Sequence, residues 1–393
     1  MKSNTSLLFN YFTFPALIYL SVTLLSGIWI RLQWVIPYWA LFNPKFAIHA
    51  HSHLAMLGWL FPILLRLLLP KSAPFTITSK MLVLLLHFTI IAMFPAFLYE
   101  GYALWSITFS SLFIIFSYIL IYLYRRELQL GVNILNSLAI GLYLLSTVGP
   151  WALGGAARFG LEWLTAWIAF FLHLQFNGWV TFAVLAILSK DTTLLLPAKI
   201  GFSLLAIGTV FVTPGLMYTQ LSPWWHGLVY GGSSFLVIGG LLVSYFAIKN
   251  SSLSSVKTVF VSLFLIKTLS ISFIIFDFAQ PWIHHIHSFR VAFTHFVLLS
   301  WGSSVILFAQ FGLTRFWLLF FAAALLKGCI LTLDAFQWIN SSVLPFSLQW
   351  VYIVLGVLLL ISLFGLIYLH FVSNVTVRYR FSSLSLKGID EKN

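Results

Sequence analysis

Residues 47–69 read AIHAHSHLAMLGWLFPILLRLLL, an apolar run in which Arg66 is the only charged residue. About 20 predominantly apolar residues are enough for a helix to cross the hydrocarbon core of a bilayer. Backbone polar groups find no water in that core, so a run that crosses it must be helical. The stretch therefore predicts a membrane-spanning helix. Its three histidines distinguish it from an ordinary lipid-facing span, because ionisable groups at membrane depth usually serve a function.

The rest of the chain has the same apolar character. Of its 393 residues, 61% are apolar and 7% are charged, whereas a soluble domain carries about 25% charged residues. This composition excludes a soluble globular protein and a disordered chain. No internal repeat is evident in the sequence. We predict an all-α polytopic membrane protein, a single transmembrane domain over residues 1–393 with about twelve spans, at 8–30, 47–69, 79–99, 102–124, 131–153, 160–189, 197–218, 225–248, 256–279, 286–313, 315–338 and 346–371.

We attribute the net charge of +13 to cations that orient the spans in the membrane, and not to nucleic-acid binding. Lys and Arg residues concentrate in the connections on one side of the predicted spans, for example at Lys71, Arg125 and Lys199. The positive-inside rule then places both termini in the cytoplasm, with residues 375–393 as a basic cytoplasmic tail. We expect a multi-pass protein of the bacterial inner membrane, with membrane lipids as partners and no nucleic acid.

Most of the eleven histidines fall at one depth in this topology. Imidazole binds haem iron, copper and zinc, so a belt of histidines near the outer face predicts a metal or haem site. Interfacial histidines that only form hydrogen bonds are the alternative. The single cysteine, Cys329, excludes a covalent C-x-x-C-H haem site and a cysteine-ligated iron–sulfur cluster. The histidines of the outer half are His49, His51, His53, His226, His284, His285, His287 and His295.

Two of these histidines lie at similar depth on different predicted spans. His53 and His295 could bind one haem iron from opposite sides, and Arg290 could pair with the haem propionates. His49 and His53 are four residues apart and share a helix face, while His51 points to roughly the opposite side. The alternatives are a hydrogen-bonded core histidine at position 295 and an interfacial, snorkelling arginine at position 290.

Polar residues near the middle of the membrane form a second group of candidates. His173 and Asn177 share a face of the sixth span, where the histidine could bind a metal or only form hydrogen bonds. Lys267, with Thr268 beside it, lies inside the ninth span. A lysine at that depth fits a proton path. It fits equally a buried group that lines a polar groove.

These motifs resemble subunit I of the haem–copper oxidases, a family that includes terminal oxidases and nitric oxide reductases. His53-Leu-Ala-Met-Leu-Gly-Trp59 resembles the low-spin haem ligand region of the family's second helix. His295-Phe-Val-Leu resembles the opposing ligand of the tenth helix, and His173 lies in the span that carries a copper ligand. The resemblance implies a twelve-helix bundle with cytoplasmic termini, a non-covalent haem b and copper as a second cofactor.

The sequence departs from the family at its usual binuclear centre. Phe293 stands where most members place the ligand of the high-spin haem, and the seventh span contains no histidine. Asn177 stands where oxidases often have tyrosine and nitric oxide reductases can have glutamate. The short chain also resembles the compact NnrS-like proteins linked to nitric oxide stress. A second site rebuilt from outer-face histidines, among them His284 and His287, is one hypothesis.

Three functions follow from these observations. The first is a haem redox protein that transfers electrons to, or reduces, O2 or NO, supplied by quinol or by a cytochrome-type donor subunit. The second is a non-catalytic haem or copper protein that binds or senses nitric oxide. The third is a histidine-dependent transporter of metal ions or protons. Whether the protein is an enzyme stays open, although the resemblance favours an oxidoreductase.

Overall fold

The computed structural model describes residues 7–36, 38, 41–156, 160–190, 194–217, 223–249, 255–272, 287–335 and 345–387. In these ranges regular structure is helical and no strand occurs. Eleven helices within these ranges are long and apolar enough to cross a membrane. The protein is therefore an all-α polytopic membrane protein, as the composition predicts.

We number the helices α1 to α12 in chain order. Their bounds agree with the predicted spans to within a few residues, except for the ninth. There α9 covers Ser255–Ser272, and the rest of the prediction, residues 273–279, lies outside the described residues. The other eleven are α1 Phe9–Val35, α2 Pro44–Leu68, α3 Ile77–Glu100, α4 Leu104–Leu123, α5 Ile134–Gly154, α6 Trp163–Leu188, α7 Leu196–Met217, α8 Trp224–Lys249, α10 Phe289–Phe311, α11 Arg315–Ala335 and α12 Leu348–Val372.

Three helices, α2, α6 and α10, form the centre of the bundle. In their most apolar windows 61%, 78% and 56% of the residues are buried, and no other candidate span exceeds 50%. The last two turns of α2 pack against those of α6, which pack in turn against those of α10. The indole N–H of Trp59 in α2 donates to Ser303 Oγ of α10 at 2.9 Å. The remaining helices surround this centre, and α1 packs against α12, so the first and last spans lie side by side.

The central helices share a local distortion that reveals a repeat. In each one a histidine ends an α-helical segment, and a π-helical segment follows immediately. The sequences at these points are His53-LAMLG-Trp59, His173-LQFNG-Trp179 and His295-FVLLS-Trp301, and all three tryptophans are buried. The expectation that the chain has no internal repeat was therefore wrong. The shared element is a histidine, four variable residues, a Gly or Ser and a tryptophan, and it recurs on every fourth helix.

Candidate functional site

His51 and His295 form the core of the candidate site. They lie in the first α-helical segments of α2 and α10, and the two imidazoles interact electrostatically with each other. The segments that carry them, Pro44–His53 and His287–His295, do not pack closely together. Protein atoms surround both rings, yet neither ring is fully buried. The two histidines therefore lie near each other in a partly accessible region between α2 and α10, which we call the histidine cleft.

The hydrogen bonds of His51 assign its tautomer. Ser26 Oγ of α1 donates its single proton to Thr23 O at 2.9 Å. The same oxygen lies 3.0 Å from His51 Nδ1, so it must accept from an Nδ1–H group. The second ring nitrogen, Nε2, is then left unprotonated and can bind a metal. Gly27 permits this approach, because a Cβ atom at that position would lie 3.1 Å from His51 Cε1.

His295 and His53 have the same tautomer for the same reason. His295 Nδ1 lies 2.8 Å from Val291 O, and His53 Nδ1 lies 2.9 Å from His49 O. A carbonyl oxygen can only accept, so both rings carry their proton on Nδ1 and leave Nε2 as an acceptor. A hydrogen bond of this kind typically orients a histidine that binds a metal.

His53 faces a different neighbourhood from His51. Its ring stacks on Phe97 of α3 at a centroid distance of 4.0 Å, and the hydroxyl of Tyr102 lies 3.5 Å from its Nε2. His49 packs edge-on against the same tyrosine at 4.6 Å. The Tyr102 phenol carries its proton at neutral pH and can donate a weak hydrogen bond to His53 Nε2. The structure therefore couples His295 to His51, and couples His53 to His49 and Tyr102.

Two cations lie beside the His51–His295 pair. Lys327 of α11 is 8% exposed, and its charge acts on both imidazoles, as does that of Arg31 of α1. Arg31 donates to Gln349 Oε1 at 3.2 Å and lies over the ring of Tyr352 at 4.6 Å. The negative charge of Asp334 stabilises the Arg31 guanidinium. The cleft thus carries more positive than negative charge, and an anionic ligand would be stabilised there.

The sequence singled out neither Arg31 nor the pairing of His51 with Lys327. Arg31 lies at the end of a span and reads as a topology signal. Lys327 is visible as a mid-span lysine, but its neighbours on other helices are not. A buried cation close to histidines is recognised only once the helices are packed.

His173 has both ring nitrogens engaged. Its Nε2 donates to Thr209 O of α7 at 2.8 Å, and its Nδ1 accepts from Asn177 Nδ2 at 3.0 Å. No lone pair remains for a metal in this arrangement. Of the two interpretations of His173, the geometry favours hydrogen bonding. His87 of α3 is engaged in the same way, by Tyr11 O and by the hydroxyl of Tyr19.

The other predicted residues lie apart from this cleft or outside the described part of the chain. Arg290 is exposed on the first described turn of α10. His226 is exposed near the start of α8, where its ring stacks on Tyr230. His284 and His285 lie outside the described residues, as does the side chain of His287. Within the described ranges no three or more His, Cys, Asp or Glu side chains are grouped to hold a metal ion.

Lys267 is buried in the centre of the bundle, 1% exposed. Its Nζ atom lies 5.7 Å from the centroid of the Trp301 ring, and its charge acts on His173. The hydroxyl of Thr268 donates to Phe264 O of the same helix at 2.9 Å, and a proton path through the two residues stays a prediction. Lys267 therefore belongs to the mid-membrane group with His173 and Asn177.

No family model matches the chain, and no curated protein matches it closely enough to count as a relative.

Proposed function

We propose that the protein is an integral membrane haem-binding redox protein of the kind that the resemblance to haem–copper oxidase subunit I implies. One non-covalent haem b would lie in the outer half of the membrane, between α2 and α10. The observation that supports this proposal is the pair His51 and His295, which lie near each other and whose Nδ1 contacts leave Nε2 unprotonated on both rings. Such a haem would supply one-electron redox chemistry, and His51 and His295 would hold its iron.

The charges around the cleft fit a haem. A haem b carries two propionates, and a bilayer disfavours uncompensated carboxylates. Arg31 and Lys327 supply two cations on different helices beside the same pair of histidines. We assign them the propionate-pairing role that the sequence assigned to Arg290. His53 is the alternative ligand on α2, with Tyr102 opposite its Nε2.

The proposed orientation places this haem near the outer face of the bacterial inner membrane, with twelve spans and both termini in the cytoplasm. Cysteine labelling tests it, in a Cys329→Ser background. Tyr38 is 96% exposed between α1 and α2, and Val132 is 85% exposed between α4 and α5. An impermeant maleimide should label Tyr38→Cys in cells whose outer membrane alone is opened. Val132→Cys should react only after the inner membrane is opened, and the reverse pattern would invert the topology.

The haem proposal is tested by optical spectra of the purified protein, oxidised and reduced, with a pyridine haemochrome assay for quantity. We expect sharp reduced α and β bands that disappear in both His51→Ala and His295→Ala. The exposed His226→Ala is the matched control and should keep them. Loss in His53→Ala with retention in His51→Ala would move the ligand to His53. A haem-free protein from haem-replete cells would overturn the proposal and favour the histidine-dependent transporter.

A second candidate function is nitric oxide binding or sensing without turnover. It is favoured by the hydrogen bonds that engage both nitrogens of His173, because a copper-containing centre for gas reduction needs histidines with a free ring nitrogen. Consumption of NO under anaerobic conditions, or of O2, with reduced quinol or a reduced cytochrome as donor, separates turnover from binding.

A further inference from the structure

A cavity of about 540 Å³ opens at the basic end of the bundle, far along α2 from the histidine cleft. It is bounded by the ends of α2 and α6, the start of α7 and the connection between α4 and α5. Its volume falls in the range of small-molecule sites. The residues that give it chemical character are Glu127, Lys190 and Lys199, together with the apolar Leu67, Ile187 and Leu194.

Glu127 is the residue that requires a ligand. Its Oε2 atom is buried and has no hydrogen-bond partner in the described structure. A buried carboxylate oxygen without a donor destabilises the folded protein. A ligand that donates a hydrogen bond, and preferably carries positive charge, would remove this cost.

Lysines line the same cavity and favour a negatively charged group on the ligand. Lys190 Nζ already donates to Leu67 O at 3.2 Å and so lies against the end of α2. Lys199 is exposed in the first turns of α7. Both are strongly hydrated cations that bind phosphate as point charges. A single occupant that satisfies both walls must therefore carry a phosphate and an ammonium group.

The position of the cavity makes that occupant a lipid. The apolar residues Leu67 and Ile187 lie in the last turn of α2 and of α6, where hydrocarbon gives way to headgroups. The wall formed by the α4–α5 connection is fixed by its backbone. Gln129 adopts φ 53, a conformation that non-glycine residues rarely hold, and hydrogen bonds from Gln129 N to Arg126 O and from Asn133 N to Gln129 O maintain it.

We propose that this cavity binds a phospholipid whose headgroup carries a primary ammonium, of the phosphatidylethanolamine type. The ammonium donates to Glu127 Oε2, the phosphate pairs with Lys190 and Lys199, and the acyl chains follow the apolar wall into the bilayer. A choline headgroup has no N–H group to donate, and a glycerol headgroup has no positive charge. The site therefore discriminates between phospholipids by hydrogen bonding and does not depend on the haem.

Native mass spectrometry of the purified protein with defined lipids tests this site. We expect the wild type to retain dioleoyl-phosphatidylethanolamine at least severalfold over the phosphatidylcholine and phosphatidylglycerol counterparts. Glu127→Gln should abolish the preference over phosphatidylcholine, and Lys199→Gln should weaken retention of both. Arg125→Gln is the matched control, because Arg125 lies in the same connection but binds Tyr122 O and the Tyr122 ring.

Equal retention of the three lipids by the wild type would overturn the proposal. So would an unchanged preference in Glu127→Gln that elutes as a monodisperse, folded protein. Soluble phosphoethanolamine is the second probe. If it displaces the lipid at millimolar concentration, the site recognises a free headgroup and the lipid assignment is wrong. If it does not, the acyl chains are part of the ligand, as proposed.

Discussion

A single proton on Ser26 determines what His51 can do. Because the hydroxyl of Ser26 donates to Thr23 O, its oxygen is an acceptor, and this fixes the proton of His51 on Nδ1. A backbone carbonyl likewise fixes the proton of His295 on Nδ1. His173, in contrast, has an acceptor on one side and an amide donor on the other. The hydrogen-bond partners of each imidazole thus decide whether that histidine has a ring nitrogen free to bind a metal.

Ser26→Ala should weaken haem binding by tenfold or more without removing a ligand. The change takes away the acceptor of His51 Nδ1–H, and loss of such a partner typically lowers metal affinity by about 10–100-fold. Haem retention on dilution, followed by the absorbance of the reduced α band, measures it. Ser52→Ala is the control, because Ser52 Oγ donates to Ile48 O within its own helix. Equal retention in both variants would show that Ser26 does not orient His51.

Lys267 is a buried cation for which the described part of the chain provides an aromatic face and a histidine but no carboxylate. Lys267→Met keeps the shape of the side chain and removes the charge. We expect it to stabilise the folded protein by about 1 kcal/mol or more, because the desolvation cost of a buried ammonium exceeds the energy of its cation–π interaction. Thermal unfolding in detergent, with Lys257→Met at the start of α9 as control, measures the change. A lower midpoint than the control would indicate that the ammonium is paired in the native protein.

At the scale of helices, α7 and α8 approach each other so closely that glycine is required at their crossing. A Cβ on Gly208 would lie 2.7 Å from Gly232 O, and one on Gly239 would lie 2.7 Å from Gly201 O. Small residues at such crossings let two backbones pack directly, which drives helix association in lipid. Because Thr209, the acceptor for His173, follows Gly208 in α7, this crossing also positions the mid-membrane group.

Adjacent glycines of α8 give a matched pair of substitutions. A Cβ on Gly232 would lie 2.7 Å from Phe211 Cβ and 2.9 Å from Val212 N, whereas one on Gly231 meets nothing within 4 Å. Gly232→Leu should therefore separate α7 from α8 and destabilise the protein by about 1–3 kcal/mol or more. Gly231→Leu should have little effect. Thermal unfolding compares the two, and equal midpoints would contradict this packing.

The helices themselves could be predicted from the sequence because lipid leaves the backbone few alternatives. Runs such as residues 47–69 appear as α2, Pro44–Leu68, with small shifts at the ends. What could not be predicted is rotation about each axis. The spacing of His49, His51 and His53 shows that they divide between two faces, but the contacts of α1 and α3 decide which face meets α10. The π-helical segments change that rotation further, and their shared histidine-to-tryptophan spacing is a weak signal when each is read alone.

For the whole molecule, the recurrence of one motif on α2, α6 and α10 raises the question of how many cofactors the bundle holds. Three equivalent histidines at the centre suggest three equivalent sites. The side chains around them are not equivalent. On α10 His295 has an available Nε2 and a second such histidine, His51, near it. On α6 both nitrogens of His173 are engaged by protein groups.

We therefore expect one haem b per chain, and not two or three. His173→Ala should leave the haem content and the reduced α band unchanged, since its imidazole only joins α6 to α7 and to Asn177. It should instead lower the free energy of unfolding by about 1–3 kcal/mol, because Thr209 O and Asn177 Nδ2 lose a buried partner. Pyridine haemochrome assays against protein concentration, for the wild type and this variant, measure the ratio. Two haems per chain, or loss of haem in His173→Ala, would show that the repeated motif marks repeated cofactor sites. A ratio of one, unchanged in the variant, would mean that the same backbone motif serves haem binding in one helix and packing in another.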